Sequence, residues 1–217
     1  GKAGKDIFNL QMDSREIAKG ICDDLDYDMR KLGITITEFN IESFSYPEEI
    51  KKMQEKGIKA VVASGRDIRE YKTLPLQDIS FDAYLTLNGN LCLDKEEKLF
   101  AGNEIDPDEV EILVSIFDAG KIPFVLIGED KRYINYVNDT VIKTQLATKG
   151  TIPDIGEYKG EKIYQCISFV DKETREKLER LLDKCSITSW NDTGIDIIAK
   201  TGGKAAGIEK YLDKMEI

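Results

Sequence analysis

The segment Ile58–Ala63 (IKAVVA) constrains the fold more than any other part of the sequence, because it is a short apolar run without polar alternation. Such a run is typical of a strand in a parallel sheet that is buried on both faces. A Ser-Gly-Arg sequence follows at 64–66, and a second predicted strand, Asp82–Leu87, ends in Asn-Gly-Asn at 88–90. Strand, helix, strand and polar turn form the βαβ unit of an open α/β sheet, in which ligands bind at the carboxyl ends of the strands.

Further elements are predicted on both sides of this unit. Apolar residues at every fourth position predict an amphipathic helix over 14–32, and β-branched residues predict a strand over Ile34–Phe44. After residue 90 the pattern changes to a hairpin around 95–97 and mainly antiparallel strands. These strands alternate with three predicted helices, Pro107–Ala119, Asp139–Ala147 and Lys172–Lys184. A last helix begins at Lys204. Taken together, these elements predict an α/β protein, with a reduced Rossmann-like core and an α+β lobe.

Charge and composition exclude several functional classes. The sequence has 41 acidic and 31 basic residues, a net charge of −10, which argues against binding nucleic acid. No apolar run approaches the roughly 20 residues that span a bilayer and no signal peptide is recognisable, so a cytoplasmic protein is expected. The absence of histidine excludes histidine-based triads and histidine-ligated metals. The four cysteines form no CxxC pair, so buried free thiols are expected rather than a zinc site.

Five sequence segments together resemble the Cof-type phosphatases of the haloacid dehalogenase (HAD) superfamily: KGIKAVVASGR, FDAYLTLNGN, YINYVND, IYQCISFVD and DIIAKTGGKAAGIEKYL. The resemblance extends from about Gly57 to the end of the chain. It implies a Rossmann-like core with an α+β cap, and Mg²⁺-dependent hydrolysis of small phosphate esters such as sugar phosphates. The predicted domains are a partial HAD-like core formed by 1–88 and 202–217, and a cap formed by 89–201.

The resemblance implies four residues at the ligand site. The Ser64 hydroxyl and the Lys204 ammonium match the positions that hold phosphate, and Asn88 matches a substrate-binding position near the junction of core and cap. Arg66 matches the family's Ser/Thr-Gly-Arg pattern and is either structural or substrate-facing. Other interpretations stay open: Ser64 as the N-cap of a helix from Asp67, Lys204 as a solvated surface residue and Asn88 as a plain turn residue.

Ser64 and Lys204 are also predicted to lie within one water-bridged contact of each other. A phosphate or sulfate ion would then bind between them, without Mg²⁺, at the N-terminus of the helix that follows Ser64. Such binding is expected to be weak and salt-sensitive, because the chain as a whole is strongly acidic.

The catalytic carboxylates of the family are the part that this sequence lacks. The resemblance implies a D-x-D-G-T motif, in which the first Asp attacks phosphorus and the second serves as acid and base. Topology places Asn40 and Glu42 at these two positions, and an amide cannot serve as the nucleophile. Asp24 and Asp26 do not replace them, because they lie in a predicted helix, where residues two apart point about 200° away from each other.

Mg²⁺ is the cofactor that the family implies, held through oxygen ligands from a further acidic segment beyond the lysine. No such segment follows Lys204 before Ile217. We therefore assign no metal ligand, and we do not expect tight Mg²⁺ binding by this chain.

Residues 7–56 resemble a different family, the end of an SPFH (band 7) domain, which suggests a chimera. The first hypothesis is a HAD-like phosphatase by descent, acting on small phosphorylated metabolites but inactive as it stands. The alternative is a non-catalytic chimeric fold or binding module, and an SPFH-type assembly or membrane-surface protein is the third. An exposed sheet edge would favour a homodimer.

Overall fold

The structure, a computed structural model, describes residues 46–73, 79–148 and 150–216. The described helices are α1 (Tyr46–Glu55), α2 (Ile68–Tyr71), α3 (Pro107–Ala119), α4 (Asp139–Thr148), α5 (Lys172–Leu181) and α6 (Lys204–Met215). The described strands are β1 (Val61–Ala63), β2 (Ala83–Thr86), β3 (Leu91–Asp94), β4 (Leu99–Gly102), β5 (Phe124–Ile127), β6 (Arg132–Ile134), β7 (Gln165–Phe169), β8 (Cys185–Ser189) and β9 (Gly194–Ala199). A 3₁₀ turn over Leu87–Gly89 follows β2.

The chain divides into two compact units, and α1 lies in the first of them. This helix includes Pro47 in its first turn and is followed by Gly57 at φ +79°. Residues 59–73 and 80–216 form the second unit, which contains both sheets described below.

The first sheet has the strand order β1-β2-β3-β4. β1 and β2 run parallel, as predicted, and β2, β3 and β4 form an antiparallel meander. Helix α6 covers one face, where Tyr211 packs with the buried Ala83 and Leu85. The prediction that the first strand is buried on both faces is wrong: the residues of β1 are half-buried or exposed, since β1 pairs with one strand only among the described residues.

The second sheet has the order β6-β5-β7-β9-β8 and is antiparallel throughout. Its outer face forms a core with α3 and α5, which contribute Phe117 and Leu178. Helix α3 has the expected start and stop signals: Asp106 caps it by accepting a hydrogen bond from the Asp108 amide, and Gly120 ends it at φ +60°. The helices and strands predicted for this part of the chain are therefore confirmed.

A second apolar core joins the two sheets. Leu87 and Leu91, at the end of β2 and the start of β3, pack with Val125, Ile134 and Phe169 of the second sheet. Because these five side chains are nearly inaccessible to solvent, the core fixes the turn after β2 against the second sheet.

Glycines fix the start of α6 against the same turn. A Cβ on Gly89, which has φ +82°, would lie 2.7 Å from the Gly203 carbonyl oxygen, and a Cβ on Gly207 would lie 2.8 Å from Gly89 Cα. Only glycine, which has no Cβ, allows the backbone of α6 to approach the turn after β2 this closely. The two glycines therefore place Lys204, the first residue of α6, beside the end of β2.

Several predictions fall outside the described residues: the helix over 14–32 with Asp24 and Asp26, the strand with Asn40 and Glu42, and Cys22. The three described cysteines, Cys92, Cys166 and Cys185, are free and buried, as predicted. Within the described ranges, no helix combines the length and apolar character that crossing a membrane requires.

Candidate functional site

A cleft of about 370 Å³ lies where the turns after β1 and β2 meet the second sheet. All four ligand-site residues predicted from the sequence line it: Ser64, Arg66, Asn88 and Lys204. The chain folds in this way because parallel β1 and β2 end at the same edge of the first sheet, and the glycine contacts bring α6 to that edge. The location agrees with the prediction, and the ligand-binding roles of the four residues stay predictions.

Ser64 forms the turn after β1. Its amide donates to the Leu85 carbonyl at 2.9 Å, and its Oγ accepts a hydrogen bond from the Arg66 amide at 3.0 Å. In the described part of the chain the hydroxyl proton has no acceptor, so it can be donated to a ligand oxygen. Ser64 is not the helix N-cap: that residue is Asp67, whose carboxylate accepts from the Arg69 amide at 2.6 Å.

The helix that follows Ser64 does not provide the predicted anion site. Helix α2 has only four residues, too few to sum into a sizeable dipole. Helix α6 has 12 residues and carries no acidic side chain in its first turn. Its N-cap is Gly203, which has no side chain that could bond to the free amides of that turn. The positive helix end that favours an anion is therefore that of α6, at Lys204.

Lys204 is exposed at the cleft and makes no ion pair or hydrogen bond with residues 46–73, 79–148 or 150–216. Its ammonium is thus available to an anion, but its exposure also fits the alternative of a solvated surface lysine, so the phosphate-binding role of Lys204 stays a prediction. The predicted water-bridged contact between Lys204 and Ser64 stays a prediction.

Asn88 connects the two sheets. It lies in the left-handed region, φ +57° and ψ +29°, which asparagine tolerates in turns. Its side-chain amide donates to Asp196 Oδ2 at 2.9 Å and to Gln165 Oε1 at 3.1 Å, both on the second sheet. Asn88 is therefore a turn residue that also bonds to the second sheet, and its substrate-binding role stays a prediction.

Asp196 is the cleft residue that sequence reasoning missed. Its Oδ1 accepts from Trp190 Nε1 at 3.1 Å, and no cation lies within ion-pair distance of it in the described ranges. Burial raises the pKa of the Asp196 carboxyl to about 6, against the opposing effect of hydrogen bonds from Asn88 and Trp190. The signal in the sequence was a carboxylate at the centre of the apolar strand GIDIIA.

Ion pairs and hydrogen bonds tie the turn after β1 to the second sheet and α4. Glu70 is held by Arg132 at 3.1 Å and by the amide and hydroxyl of Thr151, each at 3.1 Å. Arg66 donates to the Thr148 carbonyl at 3.0 Å, in the last turn of α4, where carbonyls lack helical partners. Arg66 therefore has a structural role, as one of its two interpretations anticipated, while it also lines the cleft.

The described residues do not fit Mg²⁺. No group of three or more potential ligands among His, Cys, Asp and Glu occurs within them. Two carboxylates line the cleft: Glu70 is paired with Arg132, and Asp196 accepts one hydrogen bond on each oxygen, from Asn88 and Trp190. Magnesium prefers several free oxygen ligands in octahedral geometry, which this arrangement does not supply.

Asp196 should make stability depend on pH. Because its pKa is raised from 3.8 to about 6, the folded state binds the proton more tightly, and the resulting stabilisation is lost as pH rises through 6. We expect the unfolding free energy of the wild type, relative to Asp196→Asn, to fall by about 2 kcal/mol between pH 4 and pH 7.5. Urea unfolding at both pH values measures this; Asp192→Asn, which removes the same charge from an exposed position, is the control.

A model of the haloacid dehalogenase-like hydrolase family matches residues 42–217. The chain is also 28% identical, over 177 residues, to a putative bifunctional phosphatase/peptidyl-prolyl cis-trans isomerase of Streptococcus pyogenes serotype M6. That match covers 78% of this chain and 37% of the relative, so the chain spans little more than a third of that protein's length.

Two solved structures of HAD phosphatases resemble this fold. One is BT1666 from Bacteroides thetaiotaomicron, with a TM-score of 0.69 and 20% identity, over 81% of this chain and 66% of that one. The other is the subclass IIB sugar phosphatase BT4131, with a TM-score of 0.68 and 23% identity, over 78% of this chain and 67% of that one. Similarity at this level of identity establishes the shared fold.

Proposed function

Because the chain belongs to the haloacid dehalogenase-like hydrolases, we propose that its cleft binds small phosphate esters, sugar phosphates among them. The resemblance read from the sequence is thereby confirmed for the family and the fold, while the SPFH resemblance of residues 7–56 stays a prediction. The relative BT4131 is a sugar phosphatase, which supports this choice of substrate class.

The observation that carries the proposal is that several hydrogen-bond donors without acceptors line the cleft. The Ser64 hydroxyl, the Lys204 ammonium and the first turn of α6 each lack a partner for at least one donor in the described part of the chain. A phosphate dianion accepts several hydrogen bonds and carries the charge that a lysine and a helix N-terminus stabilise. Ser64 donates one hydrogen bond, and Lys204 neutralises part of the charge.

We further propose that the chain descends from a phosphatase but does not turn over its ligand. Asn40 stands at the position that the family resemblance gives to the nucleophile, and the described residues do not fit Mg²⁺. Binding without hydrolysis then makes the protein a phosphate-ester binding module, which is the alternative hypothesis from the sequence.

The domain organisation is also a proposal. Hairpin β3–β4 extends the first sheet, whereas the family resemblance predicts that residues 89–102 belong to the cap. We propose that the cap begins near Asn103, after β4, and that it ends before α6, because β5 to β9 form a sheet of their own.

Removal of the lysine tests the binding site. We expect inorganic phosphate to bind Lys204→Ala about tenfold more weakly than the wild type in isothermal titration calorimetry at low salt, because a charge-assisted contact is lost. Lys172→Ala is the matched control, since that side chain is 89% exposed and points to solvent on α5. Equal affinity of the wild type and Lys204→Ala would place phosphate elsewhere and refute this site.

A further inference from the structure

Asp196 is an unusual residue for its position. It lies at the centre of β9 between Ile195 and Ile197, which are 2% and 0% exposed, and its partners in the neighbouring strands are Ile167 and Thr188. Asp196 is half-buried and makes no ion pair with the described residues, and desolvation of such a carboxylate destabilises the folded state. An uncharged side chain could accept the hydrogen bond from Asn88 at a smaller desolvation cost. The contact between the two sheets therefore does not by itself explain why residue 196 is a carboxylate.

The carboxylate retains capacity to bind a ligand. Two oxygens accept about four hydrogen bonds in all, and the described residues supply one to each, from Asn88 and Trp190. Asp196 lines the cleft, so a ligand there can donate to the remaining positions. Lys204 and Arg66 line the same cleft and would repel a second cation, which favours neutral hydroxyl donors over an amine.

Trp190 adds a fixed aromatic surface beside this carboxylate. Its ring is 38% exposed and lines the cleft, although its Nε1 is anchored to Asp196. Phe169 packs edge to face against it at 6.3 Å, and a Cβ on Gly194 would lie 2.4 Å from the ring. A ring held on several sides loses little freedom on binding, and its free surface suits the C–H groups of a sugar.

We infer that Asp196 and Trp190 form a subsite that recognises the hydroxyl-rich part of a phosphorylated sugar or polyol, while Ser64 and Lys204 hold its phosphate. This inference rests on the proposed function. In it, Asp196 accepts hydrogen bonds from ligand hydroxyls and Trp190 covers the apolar face of the ligand. Both are specificity-determining residues, and neither takes part in a chemical step.

The test compares three ligands that share a phosphate: hexose 6-phosphate, propyl phosphate and inorganic phosphate. We expect the wild type at pH 8 to bind hexose 6-phosphate at least about tenfold more tightly than propyl phosphate, by titration calorimetry. Asp196→Asn should reduce this preference about tenfold, because one acceptor becomes a donor. It should bind inorganic phosphate as tightly as the wild type or more tightly, since a nearby negative charge is lost.

Asp192→Asn is the control, because it removes the same charge from an exposed position in the turn between β8 and β9. Trp190→Phe keeps an aromatic ring and should lower hexose phosphate affinity without changing inorganic phosphate affinity. If the wild type binds hexose 6-phosphate and propyl phosphate equally, or Asp196→Asn keeps the full preference, the subsite is refuted while the phosphate site stands. If inorganic phosphate does not bind either, the proposed function fails and this inference fails with it.

Discussion

Incubated with Mg²⁺ and an aryl phosphate or hexose phosphates, the protein is expected to release no phosphate above the buffer background. We propose that Asn40 stands at the nucleophile position, where an amide cannot form the aspartyl-phosphate that the family resemblance implies, and the described residues contain no group of three or more potential metal ligands among His, Cys, Asp and Glu. Loss of a nucleophile alone lowers turnover by up to about 10⁶-fold in a well-studied hydrolase, which brings a typical rate below detection.

A malachite-green or coupled phosphate assay over several hours measures this. The matched variants are Asp24→Asn and Asp26→Asn, which remove the acidic pair that superficially resembles the catalytic motif. Mg²⁺-stimulated phosphate release that disappears in Asp24→Asn would show that the stretch around it supplies the nucleophile and that the helix predicted over 14–32 is wrong.

Gly89→Ala is expected to lower the free energy of unfolding by about 3 kcal/mol. Alanine is strained at φ +82°, and its Cβ would lie 2.7 Å from the Gly203 carbonyl oxygen and 3.0 Å from Lys204 Cα. Both of these atoms belong to the backbone, so the start of α6 must move away from the end of β2. Urea unfolding measures the loss, and phosphate affinity should fall with it because Lys204 is displaced.

The control for this prediction is Gly120→Ala. Gly120 also has a positive φ, +60°, but nothing lies within 4 Å of a Cβ built there. We expect it to cost only about 1 kcal/mol, the strain of the left-handed conformation. Equal losses in the two variants would mean that the contact between Gly89 and the start of α6 does not hold the cleft together.

Local patterns predicted most of the described elements of the second unit. The start and stop signals of α3 are adjacent in sequence to the helix itself, and the apolar segments that became β5, β7 and β9 are continuous. The parallel pairing of β1 with β2 followed from the βαβ pattern, which restricts the possible connections. These features need no knowledge of distant contacts.

The missed features depend on contacts between distant segments. Hairpin β3–β4 could not be assigned to the first sheet from its own residues, because any apolar hairpin can pair with either sheet. Ser64 and Asp67 are both good capping residues, and only the backbone geometry decides that Asp67 caps α2. The importance of Asp196 arises from Asn88, which is 108 residues away in the sequence.

The central claim is that phosphate binds between the turn after β1 and the start of α6. Titration of ¹⁵N-labelled protein with inorganic phosphate, followed by two-dimensional NMR, tests it most directly. We predict saturable shifts of the amide signals of residues 64–66 and 204–206, with the exposed start of α5 at Lys172 unchanged. Shifts confined to other regions, or none at these six amides at millimolar phosphate, would contradict the claim.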